Sequence, residues 1–124
     1  MRSRADLDTV IDAGADDPDQ PVGALLGVQG GHNLDGRLEN VARLGARGVR
    51  MLAPAHTMDN DLAGSGTGQR AGGLTSLGRE VIAEMERVGM VVDLAHMSSA
   101  AIRDTVPLLR RPFFLSHTGF VERC

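Results

Sequence analysis

The chain has no tryptophan, no tyrosine and three phenylalanines in 124 residues. Bases stack on aromatic faces, so single-stranded nucleic acid is poorly served by this composition. The net charge is −3 and the basic residues form no cluster, which argues against a phosphate-backbone partner. No nucleic acid is expected as a partner. A single cysteine, Cys124, excludes an internal disulfide and a cysteine-based metal site. No apolar stretch approaches the ~18 residues that cross a bilayer, so no membrane segment is expected. Arg2 and Arg4 are not followed by the apolar run of a signal peptide, and the chain as written is expected to be cytoplasmic, with export of a longer form left open.

What is present is an alternation. Residues 1–21 read as an acidic N-terminal segment, with a short helix near Asp6–Ile11 broken by the cluster Asp16-Asp17-Pro18-Asp19. From residue 22 to 124 short apolar runs alternate with amphipathic helical patterns, which is the pattern of βα units and of one domain. The first helix is expected at 36–46 with Asp35 as its N-cap and a stripe of Leu38, Val41, Ala42 and Gly45. The second is expected at 76–88, capped by Thr75 or Ser76 and closed by Gly89. The third starts after Ser98-Ser99, uses Ile102, Val106 and Leu109, and stops near Val106 because of Pro107. The glycine-rich stretch His56–Thr75 lacks the Gly-Lys-Ser/Thr ending of a phosphate loop, and is read as a mobile loop over a site.

Four apolar runs end on polar residues suited to a metal site: Gln29, His56, His96 and His117. Three of the four histidines therefore sit at run ends. If the runs are parallel strands, these side chains meet at one edge of one sheet, where parallel α/β folds keep their chemistry. His96 and His117 lie 21 residues apart, one strand–helix–strand step, so their rings should be neighbours on adjacent strands. Two neutral imidazoles on rigid strand ends make a half-site for zinc. His56 is read as a third ligand, a general acid/base or an oxyanion donor. Gln29 is the weak member, since a neutral amide cannot supply the charge that a ligand bridging two cations needs. Gly30-Gly31 permit a tight turn or close backbone approach, and His32 is read as structural. Asp93, buried within its run, needs a partner; it either orients a histidine from behind or accepts backbone donors. The trio Asp59-Asn60-Asp61 lacks the offsets of a calcium loop and reads as solvated.

The stretches Gly27-Val28-Gln29-Gly30-Gly31-His32, the strand into His56, Gly73-Leu74-Thr75-Ser76-Leu77-Gly78-Arg79-Glu80, Val92-Asp93-Leu94-Ala95-His96-Met97-Ser98 and Phe114-Leu115-Ser116-His117-Thr118 together resemble the membrane (renal) dipeptidase family of zinc peptidases. The resemblance implies a (β/α)8 barrel with two zinc ions at the strand C-termini, hydrolysing dipeptides or related small amides by a metal-activated water. It implies that His96 and His117 bind zinc, that His56 is catalytic and contacts substrate, and that Gln29 occupies the position of a metal-bridging glutamate. The family's upstream His-x-Asp pair has no counterpart here, since no histidine precedes His32. One zinc or none, rather than two, is therefore expected. The expected fold is a partial (β/α)8 TIM-type barrel of about four parallel strands, whose open edges invite self-association. A truncated reading frame, a non-catalytic metal-binding barrel remnant and a hydrolase of another amide stand as alternative readings.

Overall fold

In the computed structural model the described residues are 3–13, 19 and 22–118. Three parallel strands lie in the order β1 (Leu26–Gln29), β2 (Val49–Ala53) and β3 (Val91–Val92). Leu52 pairs with Val28 on one side and Val92 on the other. A fourth run joins through one parallel bridge between Asp93 and Phe114. It is held by Phe114 N–H to the Val92 carbonyl at 2.9 Å and Leu94 N–H to the Phe114 carbonyl at 2.9 Å. The four apolar runs are thus side by side and parallel, in chain order, with helices between them. This is the α/β arrangement of a barrel segment.

The helices form where the apolar spacing and the caps agree. Helix α3 (Ser76–Val88) starts at Thr75, whose hydroxyl accepts from Gly78 N–H, and ends at Gly89 in the left-handed region at φ +74°. It buries Val81, Ile82 and Met85 against the sheet. Helix α4 (Ser99–Thr105) is capped by the Ser98 hydroxyl and gives way to a 3-10 turn at Val106–Leu108, where Pro107 removes a backbone donor. Ala101 and Thr105 are fully buried; of the expected stripe, Ile102 and Leu109 pack half-buried against the core, while Val106 is exposed. Thr105 tolerates burial because its hydroxyl donates to the Ala101 carbonyl at 2.8 Å.

The first inter-strand helix departs from expectation. A 3-10 turn occupies Gly31–Leu34, and α2 proper runs only over Glu39–Ala46. Asp35 is not its N-cap; it ends the 3-10 turn in the left-handed region at φ 52°. Helix α1 (Arg4–Asp12) is longer than the short helix expected, because Ser3 and Asp6 form a reciprocal capping box. The helix-breaking Asp/Pro cluster lies almost wholly outside the described residues.

The core sits between the sheet and the inner faces of α2, α3 and α4, centred on Val41, Leu52, Val81, Met85 and Val92. β1 and the Phe114 run each have a strand partner on one side only among the described residues. Apolar side chains stand exposed along both: Leu26 at 56%, Phe113 at 43%, Phe114 at 45% and Leu115 at 49%. An apolar cavity of about 780 Å³, lined by Leu7, Leu25, Val91 and Phe114 among others, opens at the N-terminal ends of the strands. That is the opposite end from the histidines, so its size is no guide to where the chemistry lies.

Candidate metal centre

His56, His96 and His117 converge at the C-terminal side of β2, β3 and the Phe114 run. The rings of His56 and His96 stand edge to face with centroids 4.6 Å apart, and His96 and His117 repeat that spacing. The Nε2 atoms of His96 and His117 are 2.7 Å apart, a distance at which they share one proton. Neighbouring strands about 4.8 Å apart put successive strand-exit residues within such reach.

The backbone at His96 and His56 is fixed by neighbouring groups. His96 has φ +64°, a left-handed conformation that a side chain bearing Cβ adopts at a cost of about 1–2 kcal/mol. The turn is kept by Met97 N–H to the Leu94 carbonyl at 3.2 Å and by Gly66 N–H to the His96 carbonyl at 2.8 Å. Strain of this kind persists where the surroundings over-determine it, and it aims the ring across the sheet edge. The His56 carbonyl accepts from the Ser65 hydroxyl at 2.5 Å, which ties the strand exit to the long loop.

That loop is partly packed: residues 62–65 are buried, while Thr57, Met58, Gly66 and Thr67 are exposed, as is Asp61, in keeping with its expected solvation. Asp59, expected in solvent, has its side chain only 8% exposed and accepts from the Ser65 and Arg70 amides at 2.8 Å each. Asn60 accepts from the Leu62 and Ala63 amides and donates to the Pro54 carbonyl at 2.8 Å. The Asx side chains therefore build the loop instead of decorating it. A bridge from Ala63 to Leu74 closes the loop on itself, and one from Ser65 to Met97 seats it on the body of the protein.

Asp93 is fully buried, at 0% exposure. Its Oδ1 accepts from Ala95 N–H at 3.0 Å and Ser116 N–H at 3.1 Å, and its Oδ2 from the Ser116 hydroxyl at 2.5 Å. Burial pushes its carboxyl up, but the Ser116 hydroxyl, the Ser116 and Ala95 amides and the nearby His117 outweigh burial and hold it below the usual carboxylate range. Ser116 Oγ also lies 2.9 Å from His117 Nδ1. Of the alternatives left open by sequence, Asp93 accepts backbone donors, and it reaches a histidine only through Ser116. For His96, burial together with the adjacent His56 and His117 lowers the pKa, against an opposing pull from Asp93. A neutral ring, the form that ligates metals, is favoured.

Gln29 is at the exposed end of β1, opposite Ala53. Its carbonyl accepts from Asn33 Nδ2 at 2.9 Å, and among the described residues no hydrogen bond or ring contact joins its side chain to the histidines. Gly30, at φ +92°, and Gly31 carry the chain past the strand end, and a Cβ on Gly31 would lie 2.7 Å from the Pro54 carbonyl oxygen. His32 has its Nε2 3.4 Å from Asn33 Nδ2, and its ring lies over Gly30, where an added Cβ would also meet His56 Cβ at 3.4 Å.

Among the described residues no set of three His, Cys, Asp or Glu side chains is arranged to hold a metal ion. The donor chemistry nonetheless fits half of such a site. Two nitrogens on one tetrahedral zinc stand about 3.3 Å apart for bonds of about 2.05 Å. His96 and His117, at 2.7 Å, need only part slightly to admit a cation in place of their shared proton. Sequence reasoning found the three histidines and Asp93 but missed Ser116, although it adjoins His117 in the motif.

The model of the membrane dipeptidase family (peptidase family M19) matches residues 5–124. Dipeptidase 3 of Rattus norvegicus is 34% identical over 96% of this chain, which covers 26% of that protein. The chain thus spans about a quarter of the length of this curated relative. The crystal structure of an amidohydrolase from Pseudomonas aeruginosa superposes with a TM-score of 0.77 at 27% identity, over 91% of this chain and 33% of that one. A metallo peptidase from Rhodobacter sphaeroides, solved with a phosphinate mimic of the dipeptide L-Ala-D-Ala, shares the fold at a TM-score of 0.65 and 22% identity, over 72% of this chain and 27% of that one. With matched residues running through every strand and helix described, the chain belongs to the membrane dipeptidase family.

Proposed function

We propose that this chain carries the strand-end histidines of a zinc-dependent dipeptidase site, acting on dipeptides or closely related small amides. Family membership implies metal dependence and a dipeptide substrate. The observation that carries the reading is the convergence of His56, His96 and His117 at the C-terminal edge of one parallel sheet. His96 and His117 would hold the metal through Nε2. When bound, zinc supplies an activated water and polarises a carbonyl. His56, 4.6 Å from His96 by ring centroids, would meet the substrate carbonyl oxygen as charge develops there. Asp93 and Ser116 hold the His117 ring. Gln29 leaves the β1 end without a negative charge, so a second cation would be weakly held.

A second reading is a metal-binding barrel segment without turnover. It is favoured by the neutral Gln29 and by the lack of a three-ligand set among the described residues. Hydrolysis of an amide other than a dipeptide is a third, and the amidohydrolase likeness supports it. Native mass spectrometry in zinc-containing buffer, with hydrolysis assays on dipeptides and other amides, separates the three. Zinc-dependent dipeptide turnover that His56→Ala abolishes while metal is retained supports the first. Zinc bound without turnover supports the second. Turnover of other amides alone supports the third. A folded chain that takes up no zinc, or whose zinc survives both His96→Ala and His117→Ala, removes the proposed site.

We also propose that the two sheet edges pair with each other between copies of this chain. Both edges are parallel in sense, so β1 of one copy can continue the sheet beyond the Phe114 run of another, covering Leu26, Phe113 and Leu115. Light scattering should show concentration-dependent association that Phe113→Lys reduces; a monomer at all concentrations refutes it.

A further inference from the structure

The hydrogen-bond chain Asp93–Ser116–His117 has only one consistent polarity. A carboxylate has no proton to give, so at the 2.5 Å contact Ser116 Oγ must donate to Asp93 Oδ2. A serine hydroxyl has a single proton. Once it is spent on Asp93, Oγ can only accept from its other neighbour, His117 Nδ1 at 2.9 Å. His117 Nδ1 must therefore carry the ring proton. In the neutral ring Nε2 then bears the lone pair, and it points at His96 Nε2 2.7 Å away. His96 supplies the proton in that contact.

We propose that Ser116 is a positioning residue that relays hydrogen-bond polarity from buried Asp93 to His117, fixing the His117 tautomer with its proton on Nδ1 and its lone pair on Nε2. The relay does two things. It keeps the carboxylate inside the sheet, on the Ala95 and Ser116 amides, while the ring stands outside. It also makes the ring's ligating nitrogen depend on the charge state of a residue on the neighbouring strand. The proposal deepens the zinc-site reading and rests on it only for its functional meaning. The tautomer itself is a property of the metal-free chain.

The test uses the whole chain, labelled with 15N-histidine and free of metal, at a pH where the rings are neutral. Long-range proton–nitrogen correlation spectra report which nitrogen of each ring is protonated. His117 is expected as the Nδ1–H form. Ser116→Ala removes the acceptor and should release His117 toward Nε2–H, whereas Ser116→Thr keeps a hydroxyl and should retain Nδ1–H. Asp93→Asn is the sharper variant. Its Oδ1 still accepts from the two amides, but its amide nitrogen replaces Oδ2 and donates to Ser116 Oγ. The hydroxyl proton is then free to turn toward His117 Nδ1, which favours the opposite tautomer without a change of shape. Zinc affinity should fall about 10- to 100-fold in Ser116→Ala and Asp93→Asn, and recover in Ser116→Thr. An Nε2–H tautomer in the native chain overturns the proposal, as does a tautomer that neither Ser116→Ala nor Asp93→Asn alters. If the tautomers shift as expected but the native chain takes up no zinc, the relay stands and the zinc-site reading fails.

Discussion

Two glycines in helices should respond in opposite senses to the same added methyl. Gly45 lies in α2, and a Cβ there meets only Met90 Cε at 3.8 Å, an ordinary contact. Gly78 lies in the first turn of α3, and a Cβ there falls 2.2 Å from the Leu62 carbonyl oxygen and 2.7 Å from Leu74 Cδ1. Helix propensity alone favours alanine over glycine at either position by up to about 1 kcal/mol. At Gly45 nothing opposes that, although its place near the helix end weakens it, so Gly45→Ala should stabilise by about 0.5 kcal/mol. At Gly78 the obstacle is backbone, and the Leu62 carbonyl is itself fixed by Thr75 N–H at 2.9 Å. Overpacking of this kind costs about 1–3 kcal/mol, so the net loss for Gly78→Ala should be about 1–2 kcal/mol. For a chain of this size that is roughly 4–10 °C in Tm, against a rise of about 2 °C for Gly45→Ala. Thermal unfolding of the two variants beside the parent decides it. A rise in Tm for both would mean that the Leu62 loop yields at little cost, and the case for a loop rigid enough to fix His56 would fall with it.

The remaining predictions concern the site and its support. Gln29→Glu adds a charge at the β1 end, on the same sheet edge as the histidines, and should tighten zinc binding about tenfold by calorimetry; unchanged affinity in an equally stable variant would place Gln29 away from the metal. Asp59 is held below the usual carboxylate range by the Arg70 and Ser65 amides, against the pull of burial. Its folded-state pKa is depressed, so its stabilisation is present above the unfolded value of about 3.9 and is lost as pH falls through the lower folded value. Asp59→Asn should therefore be less stable than the parent at neutral pH, with the gap closing in acid. A gap that stays constant from pH 7 to the acid limb in denaturant titrations would count against that origin.

The elements legible in the sequence were those whose determinants are local. Helix α3 was expected at 76–88 and found there, since Thr75, the apolar stripe and Gly89 specify both ends and one face within the segment itself. The stop of α4 before Pro107 was legible for the same reason. Asp35 misled because an Asp before a periodic run reads as an N-cap, whereas here it takes the left-handed corner between a 3-10 turn and the helix. The distinction depends on where Gly31 packs, against the Pro54 carbonyl and Leu62 across the sheet end, and no local pattern encodes that. Asp59 and Asn60 misled likewise. Short polar side chains in a loop usually face water, but these accept backbone amides from residues up to 11 positions away.

The three histidines were legible because strand-exit position is a sequence property once the runs are taken as parallel strands, while the reason their rings are held is not. His96 needs a left-handed backbone to face its neighbours, and that is enforced by Gly66 from the long loop, a residue 30 positions earlier. Ser116 was overlooked because a serine beside a histidine has many uses, and only a buried carboxylate one strand away assigns it one. The chemistry of this edge is thus divided between two kinds of information. Side chains with reactive atoms sit at positions set by the period of strands and helices. The atoms that aim them, the Ser65 hydroxyl at the His56 carbonyl, the Gly66 amide at the His96 carbonyl and the Ser116 hydroxyl at the His117 ring, come from loops. Substitutions that remove the Ser65 or Ser116 hydroxyl should therefore alter ring orientation and metal affinity while leaving the fold intact, whereas substitutions at the core residues Leu52 or Met85 should lower stability first and affinity only through it.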